Sequence, residues 1–443
     1  MVKMVKIKQG ILFAGDLIIL YLSLFLTLFI RYGDINNDVV ALHLWPFSLI
    51  FMLWSLVFYI AGFYEIKELK NTSDFAKKFS WAVLINFILA ISLFYFIPAF
   101  GITPKTNLFI FLLIFGSAAY GWRTSYNNLI TAKAPAKKIL LIGYNQICQE
   151  LTEHVAANPQ LGYEITIWMK EGLQAKEFHD LSQIISANQI NLIVVPAHIK
   201  KSSRAARLIY KNLASGTEVL DLAKIYELLF QKIPLAELEE VWFLENLAKS
   251  NKIHDAIIRP LEVLIALILG ILTLPLAFLI IAIIKITSSG SAFFTQIRVG
   301  KNGQRFTLWK FRTMGADAEK GGPKWAVPND KRVTPFGKFL RRTHLDELPQ
   351  LFNIATGELS LIGPRPERPE FVATLEKEIP YYELRQLIKP GLTGWAQINY
   401  RYGASLDDAY EKLQYDIYYL KNRSLWLDIL ILVKTIKRFF IPA

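Results

Sequence analysis

Two adjacent carboxylates, Asp346 and Glu347, lie in the run Arg341-Arg342-Thr343-His344-Leu345-Asp346-Glu347-Leu348-Pro349-Gln350, and an arginine-bearing run, Leu361-Ile362-Gly363-Pro364-Arg365-Pro366-Glu367, follows it. Arginine neutralises phosphate oxygens bidentately and a hard cation prefers carboxylate oxygen, so this combination suits metal-assisted attack on a phosphoanhydride. Thr343 to Asp346 fits a capping box and Pro349 the first turn of a helix, which predicts both carboxylates near a helix N-terminus. A capping role alone explains less. Glu347 has no capping task, and Arg341, Arg342, Arg365 and Arg368 supply more cation than a cap needs. His344 reads as a solvated helix-entry residue rather than a base.

Two further segments flank this pair: Lys310-Phe311-Arg312-Thr313-Met314, after a strand of alternating apolar residues, and Lys389-Pro390-Gly391-Leu392-Thr393-Gly394-Trp395-Ala396-Gln397. Each is weak by itself; together, in fixed order, they carry weight. The region from Lys285 onward holds 25 Lys and Arg against 16 Asp and Glu, out of a net charge of +13 for the chain. Such a basic surface suits anionic head groups or a phosphorylated substrate. No recognition motif or Lys/Arg tract points to nucleic acid. Cys148 is the only cysteine, which rules out an intramolecular disulfide and cysteine-based zinc sites.

These residues are attached to a chain that is 53% hydrophobic with mean hydropathy +0.30, above the usual soluble range. Four apolar segments, at about 10–30, 44–62, 79–100 and 106–122, approach the roughly 20 residues needed to cross a bilayer. The flanking lysines at 3, 6 and 8, from 67 to 78 and at 133, 137 and 138 put both ends of this region in the cytoplasm by the positive-inside rule. The first segment is too long for a cleaved signal peptide and lacks its small-residue site. From 137 the pattern becomes strand and helix in alternation, with apolar runs at 139–143, 164–169 and 190–196, which predicts a parallel sheet covered on both faces. A dinucleotide fingerprint would place glycine at 143, 145 and 148; here Gly143, Asn145 and Cys148 stand there, so the module is expected to be Rossmann-like without a nicotinamide cofactor. A fifth apolar run, 263–284, is interrupted by Pro275 and reads either as a spanning helix or as one that turns back at the proline. The C-terminal run 425–440 reads as an interfacial amphipathic helix or as core.

The four basic and acidic segments, with Tyr402-Gly403-Ala404-Ser405, Asp416 and Leu425-Trp426-Leu427-Asp428, resemble the bacterial polyprenyl-phosphate sugar-1-phosphate transferases, the bacterial sugar transferase family. The resemblance covers essentially the whole chain in its long form. It implies a membrane protein with a four-helix transmembrane bundle (1–135), a Rossmann-like α/β cytoplasmic domain (136–250), a re-entrant membrane helix (251–288) and a mixed α/β catalytic domain with interfacial helices (289–443), facing the cytoplasm of the bacterial inner membrane. It further implies Asp346 as nucleophile on the sugar-proximal phosphate of a UDP-sugar, loss of UMP, transfer to undecaprenyl phosphate, and Mg²⁺ held by Asp346 and Glu347. Arg341 and Arg365 are then expected on phosphate, with Lys310, Arg312 and Asp416 as further substrate-binding residues. The expected partners are the two substrates, inner-membrane lipids and, through the middle domain, a homodimer. The rival readings are a membrane-bound NAD-dependent nucleotide-sugar dehydratase or epimerase and a non-catalytic membrane scaffold. The first needs an intact glycine fingerprint and a Tyr-x-x-x-Lys pair, which Tyr210 and Tyr226 do not supply.

Overall fold

The computed structural model describes residues 2–33, 36–65, 69–97, 100, 105–133, 136–170, 181–200, 216–247, 252–315, 330, 332–400, 403 and 405–440. They form two compact units, Met1–Asp221 and Leu222–Ala443.

The first unit begins with four helices, α1 (Val2–Tyr32), α2 (Asn37–Ile60), α3 (Ser73–Phe96) and α4 (Lys105–Lys133). They are long and apolar enough to cross a membrane. Their shared interior is largely aromatic: Phe47, Phe51, Trp54, Phe58, Phe111 and Phe115 are all buried, and Phe51 stacks on Phe111 at 5.4 Å. Apolar side chains also cover the outside, among them Ile18, Leu22, Trp45, Met52, Trp81 and Leu113. A bundle apolar on both its inner and outer surfaces needs lipid around it. One charged pair lies within. Asp16 and Arg123, each 1% exposed, form an ion pair; Tyr64 Oη donates to the acid at 2.8 Å, and the guanidinium donates to the Phe63 carbonyl at 3.2 Å and lies over the Phe58 ring at 4.8 Å.

The same unit continues into a four-stranded parallel sheet, β1 (Lys137–Ile142), β2 (Tyr163–Met169), β3 (Leu192–Val195) and β4 (Glu218–Asp221), in the order β2-β1-β3-β4. Helices α5 (Gln146–Ala157), α6 (Leu181–Asn188) and the short α7 (Ala197–Lys200) connect the strands. Ile139 to Ile142 and all of β3 are fully buried, which is why their sequences are unbroken apolar runs. After β1 the backbone turns at Gly143, φ +93°, and Asn145 caps α5 by accepting from Cys148 N at 2.7 Å. A side chain thus occupies the place where a dinucleotide fingerprint has its second glycine.

The second unit opens with α8 (Leu222–Phe230) and α9 (Glu240–Leu247) and continues into the long helix α10 (Lys252–Thr287), which contains Pro260 and Pro275 and is also long and apolar enough to cross a membrane. There follow the antiparallel hairpin β5 (Phe293–Val299) and β6 (Arg305–Phe311), α11 (Pro335–Arg342), α12 (Gln350–Thr356), β7 (Ser360–Ile362), α13 (Pro369–Glu378), β8 (Gly391–Thr393), α14 (Trp395–Asn399), α15 (Leu406–Asn422) and α16 (Leu425–Phe440). Phe306, Leu308, Ile354, Leu359, Trp395, Tyr419 and Ile431 form the main core, and Ala266 of α10 joins it. Ile280 and Ile284, near the other end of α10, pack with Ala292, Phe311 and Leu340. Polar ties reinforce the first contact. Arg259 donates to the Ile354 and Ala355 carbonyls at 2.7 and 3.0 Å, meeting the open C-terminus of α12. Glu262 accepts from Leu361 N at 2.8 Å and from the Ser360 hydroxyl, and His254 Nε2 lies 2.7 Å from Asp428 Oδ2.

The parallel strands β7 and β8 pair Ser360 with Gly391 and Ile362 with Thr393, and the backbones close up at two glycines, Gly391 and Gly363 just past β7. A Cβ at Gly391 would lie 2.0 Å from Gly363 N, and one at Gly363 would lie 2.4 Å from the Lys389 carbonyl. That close approach fixes the start of the Gly363-Pro364-Arg365-Pro366 segment.

Candidate active site

Three elements converge around the two carboxylates. β6 supplies Lys310, and the segment after it supplies Thr313. The Thr313 carbonyl accepts from Thr334 N at 3.0 Å, and its hydroxyl accepts from Arg341 Nε at 2.9 Å, so α11 is docked on the end of β6. α11 is well founded locally: Thr334 caps it by accepting from Gly337 N at 2.9 Å, and Pro335 takes the first position.

The expected capping box is not what forms. Thr343 closes α11 instead, its hydroxyl donating back to the Phe339 carbonyl at 2.8 Å. His344 then takes a left-handed conformation, φ +53°, and Leu345–Glu347 make a single 3-10 turn before α12. The physical reason is that a threonine at a helix C-terminus can fold its hydroxyl back onto the carbonyls of the preceding turn, here those of Phe339 and, at 3.2 Å, Leu340. Both carboxylates nevertheless lie just before a helix start, as Pro349 precedes the first residue of α12.

Within this turn the neighbours differ sharply. Glu347 Oε1 accepts from Lys310 Nζ at 2.8 Å and from Arg365 Nη2 at 3.0 Å; burial pushes its carboxyl up, but these two cations hold it well below the usual carboxylate range. Asp346 is only 7% exposed, and among the described residues nothing donates a hydrogen bond to its carboxylate. Burial raises it above the ordinary aspartate value, helped by the charge of Glu347 and opposed by Lys310, Arg341 and His344. One acid is held; its neighbour is desolvated and uncommitted.

The other expected site residues divide. Lys310, Arg341 and Arg365 surround the pair. Arg312 is turned away from it, its Nη2 donating to the Ser288 hydroxyl at 2.7 Å and carbonyl at 3.2 Å. Asp416 is 2% exposed and pairs with Arg385 at 2.9 Å; burial pushes its carboxyl up to about 6 against the pull of Arg385. Arg385 in turn donates to the Arg365 carbonyl at 2.9 Å, so Asp416 lies behind the site and supports the backbone of Arg365. Of the Tyr402-Gly403-Ala404-Ser405 motif, Tyr402 and Ala404 lie outside the described residues; Ser405 caps α15 with a complete capping box to Asp408.

One structural residue escaped the sequence reading. Asn353 is fully buried, accepts from Trp309 N at 3.1 Å and donates to the Thr307 carbonyl and to Glu358 Oε2, both at 2.7 Å. It clamps α12 to β6 and so sets Glu347 against Lys310. Its only sequence signal is an amide on the apolar face of a short helix.

Among the described residues no group of three or more His, Cys, Asp or Glu side chains gathers to hold a metal. The donor set fits a magnesium-type ion all the same, because such an ion commonly uses one or two carboxylates and completes its shell with water and substrate phosphates. Asp346 and Glu347 Oε2 accept no hydrogen bond among the described residues and would be the protein ligands.

Residues 253–442 match the model of the family described as bacterial sugar transferase. Over 187 residues, 42% of this chain and 44% of the relative, the sequence is 44% identical to a UDP-N-acetylgalactosamine-undecaprenyl-phosphate N-acetylgalactosaminephosphotransferase of Aeromonas hydrophila; less than half of that protein is thus matched. A putative undecaprenyl-phosphate N-acetylgalactosaminyl 1-phosphate transferase of Bacillus subtilis is 48% identical over 140 residues, 32% of this chain and 78% of the relative. A UDP-glucose:undecaprenyl-phosphate glucose-1-phosphate transferase of Klebsiella pneumoniae is 26% identical over 449 residues, 96% of this chain and 94% of the relative.

Proposed function

Because the chain belongs to the bacterial sugar transferase family, and so is a phosphoglycosyl transferase, we propose that it moves a sugar 1-phosphate from a UDP-sugar to undecaprenyl phosphate at the cytoplasmic face of the inner membrane, beginning a lipid-linked glycan or exopolysaccharide. The observation that carries the mechanism is the unequal pair. Glu347 is fixed by Lys310 and Arg365, while Asp346 is buried and accepts no hydrogen bond among the described residues, which leaves its oxygens available for attack. An Asp346 oxygen attacks the sugar-proximal phosphorus, the bond from that phosphorus to the bridging oxygen breaks, and UMP leaves with the bond electrons. An oxygen of undecaprenyl phosphate then attacks the phosphosugar-aspartate at phosphorus, restoring the carboxylate. Lys310, Arg341 and Arg365 neutralise the diphosphate oxygens as charge builds on them. A magnesium ion on Asp346 and Glu347 would supply further neutralisation of the diphosphate.

We also propose that α10 enters and leaves the bilayer on one side. Supporting this, residues in both halves of the helix pack in the same unit, Arg259, Glu262 and Ala266 before its midpoint and Ile280 and Ile284 towards its C-terminal end. The stretch between, 267–279, spans roughly 20 Å at 1.5 Å per residue, short of the roughly 30 Å hydrocarbon core. In a Cys148→Ser background, a cysteine at position 288 should be labelled from the cytoplasmic side; labelling from the periplasm alone would overturn the arrangement. Position 251, the other natural probe, lies outside the described residues. The middle domain, with Asn145 where a glycine would be needed, is proposed to bind no nicotinamide dinucleotide and to serve in regulation or dimer formation. Low-micromolar calorimetric binding of NAD(H) would refute this.

The decisive assay presents purified protein with undecaprenyl phosphate and a panel of UDP-sugars. UMP should be the stoichiometric product. Release of UDP would mean ordinary glycosyl transfer and would end the aspartyl mechanism.

A further inference from the structure

The arm that carries Arg365 is held by its carbonyls. Pro364 and Pro366 have no N–H to give, and four successive carbonyl oxygens are met from outside the arm. That of Pro364 accepts from Gly391 N at 2.9 Å, and that of Arg365 from Arg385 Nη2 at 2.9 Å. That of Pro366 accepts from Arg298 Nη1 at 2.8 Å, and that of Glu367 from Val299 N at 3.0 Å. The last two donors are consecutive residues of β5, and its hairpin partner β6 carries Lys310. One two-stranded hairpin therefore bears on both cations that hold Glu347, Lys310 directly and Arg365 through the arm. Arg298 takes no part in the chemistry above.

Resting on the transferase reading, we propose that Arg298 is a positioning residue for the reaction: it fixes the arm so that Arg365 meets the diphosphate, and touches no substrate itself. A guanidinium on a long side chain stabilises developing charge only where its backbone is fixed, and a displacement of about 1 Å can cost about 100-fold in rate. The four holds on the arm differ in kind. Gly391 and Val299 act through backbone N–H groups, which no side-chain replacement removes. Arg385 is paired with the buried Asp416, so taking it away strands an acid inside the fold. Arg298 is separable: its side chain is 16% exposed, and the carboxylate beside it, Glu367 at 3.6 Å, is 28% exposed and stays hydrated without it.

The test is a double-mutant cycle on the full chain in detergent, read by UMP release. Arg298→Met should lower kcat about 30-fold with KM for the UDP-sugar within about threefold, and Arg365→Met should lower kcat about 100-fold. The double variant should lie within about threefold of Arg365→Met, because an arm without its guanidinium has nothing left to position. The drop in melting midpoint caused by Arg298→Met should be equal in both backgrounds, which separates positioning from packing. Arg298→Lys, which keeps a donor, should regain at least about tenfold in kcat. A kcat unchanged in Arg298→Met, or losses that multiply to about 3,000-fold in the double variant, would overturn the assignment. Arg298→Gln, whose donor is too short to reach, repeats the cycle if the methionine variant does not fold. A nitroxide on Arg365→Cys in the Cys148→Ser background reads the arm without turnover. It should be immobile with Arg298 present and freer in Arg298→Met, and an unchanged spectrum would also overturn the assignment. A wild type that turns over no UDP-sugar, while the label still loosens, would remove the transferase reading instead, a different and recognisable failure.

Discussion

Asp16 with Arg123 in the membrane bundle and Asp346 with Glu347 in the transferase half are both buried carboxylate sites, yet they are completed in opposite ways. In the bundle the acid meets Arg123 and the Tyr64 hydroxyl, and the guanidinium meets a carbonyl and aromatic faces. Nothing is offered outward. In the transferase half Glu347 is matched in the same manner by Lys310 and Arg365, but it stands next to an acid with cations near it and no bond to any of them. Burial alone therefore does not mark a reactive carboxylate. The mark is burial without a hydrogen-bond donor, beside a neighbour whose one oxygen is held by two cations and keeps the surrounding charge in place.

The largest break in this contrast is Asp346→Asn. Turnover should fall at least about 10⁴-fold, as expected on losing a nucleophile, while thermal stability should not fall and should rise slightly. The sign follows from the raised pKa of Asp346 in the fold. Such a group favours folding fully below its unfolded value and loses that contribution as pH rises through the folded one, so at neutral pH the ionised carboxylate works against folding. A lower melting midpoint with retained turnover would reverse both roles. Arg123→Leu is next. It leaves Asp16 buried and unmatched, which should cost about 3–5 kcal/mol of bundle stability, most of it recovered in the Asp16→Leu/Arg123→Leu pair. Loss of helicity on thermal or denaturant titration measures this, and UMP release at low temperature should stay within about twofold.

Glu347→Gln should fall between the two types. It strands Lys310 and Arg365, costing about 1–2 kcal/mol at this partly exposed site, and should lower turnover about 100-fold. The depressed pKa of Glu347 means its stabilisation is present above the unfolded carboxylate value and is lost as pH falls towards the folded one. The smallest effect concerns pH. The acid limb of kcat/KM should lie above that of an ordinary aspartate, because Asp346 must ionise to attack. In Glu347→Gln the limb should move to lower pH, as one of the influences raising Asp346 is gone. A limb that does not move would uncouple the two acids.

The sequence revealed most where one solvent imposes one pattern. The membrane helices are legible because lipid demands some 20 apolar residues in a row, and β1 and β3 because a strand buried on both faces has no polar positions. The acids and arginines of the site are legible as types. Their pairings are not, because these join residues far apart in the chain: Arg385 with Asp416, Asn353 with Trp309, Glu347 with both Lys310 and Arg365. Nothing about Arg312 in the sequence says that, just past the end of β6, it faces Ser288 while Lys310 within that strand faces Glu347. Thr343 shows the same limit locally, since its hydroxyl had two backbone choices and only the packed turn decides between them.

The glycine seam between β7 and β8 has a consequence for how this chain can drift. With backbone atoms 2.0 to 2.4 Å from where a methyl group would be, positions 363 and 391 have no near neighbours in sequence space. A saturation library selected for turnover should return blank columns at both, while the half-buried Leu392 between β8 glycine and threonine accepts other apolar residues. The loop carrying Arg365 is thereby anchored against gradual change: substitutions that retune the donor can accumulate around it, but not by shifting it.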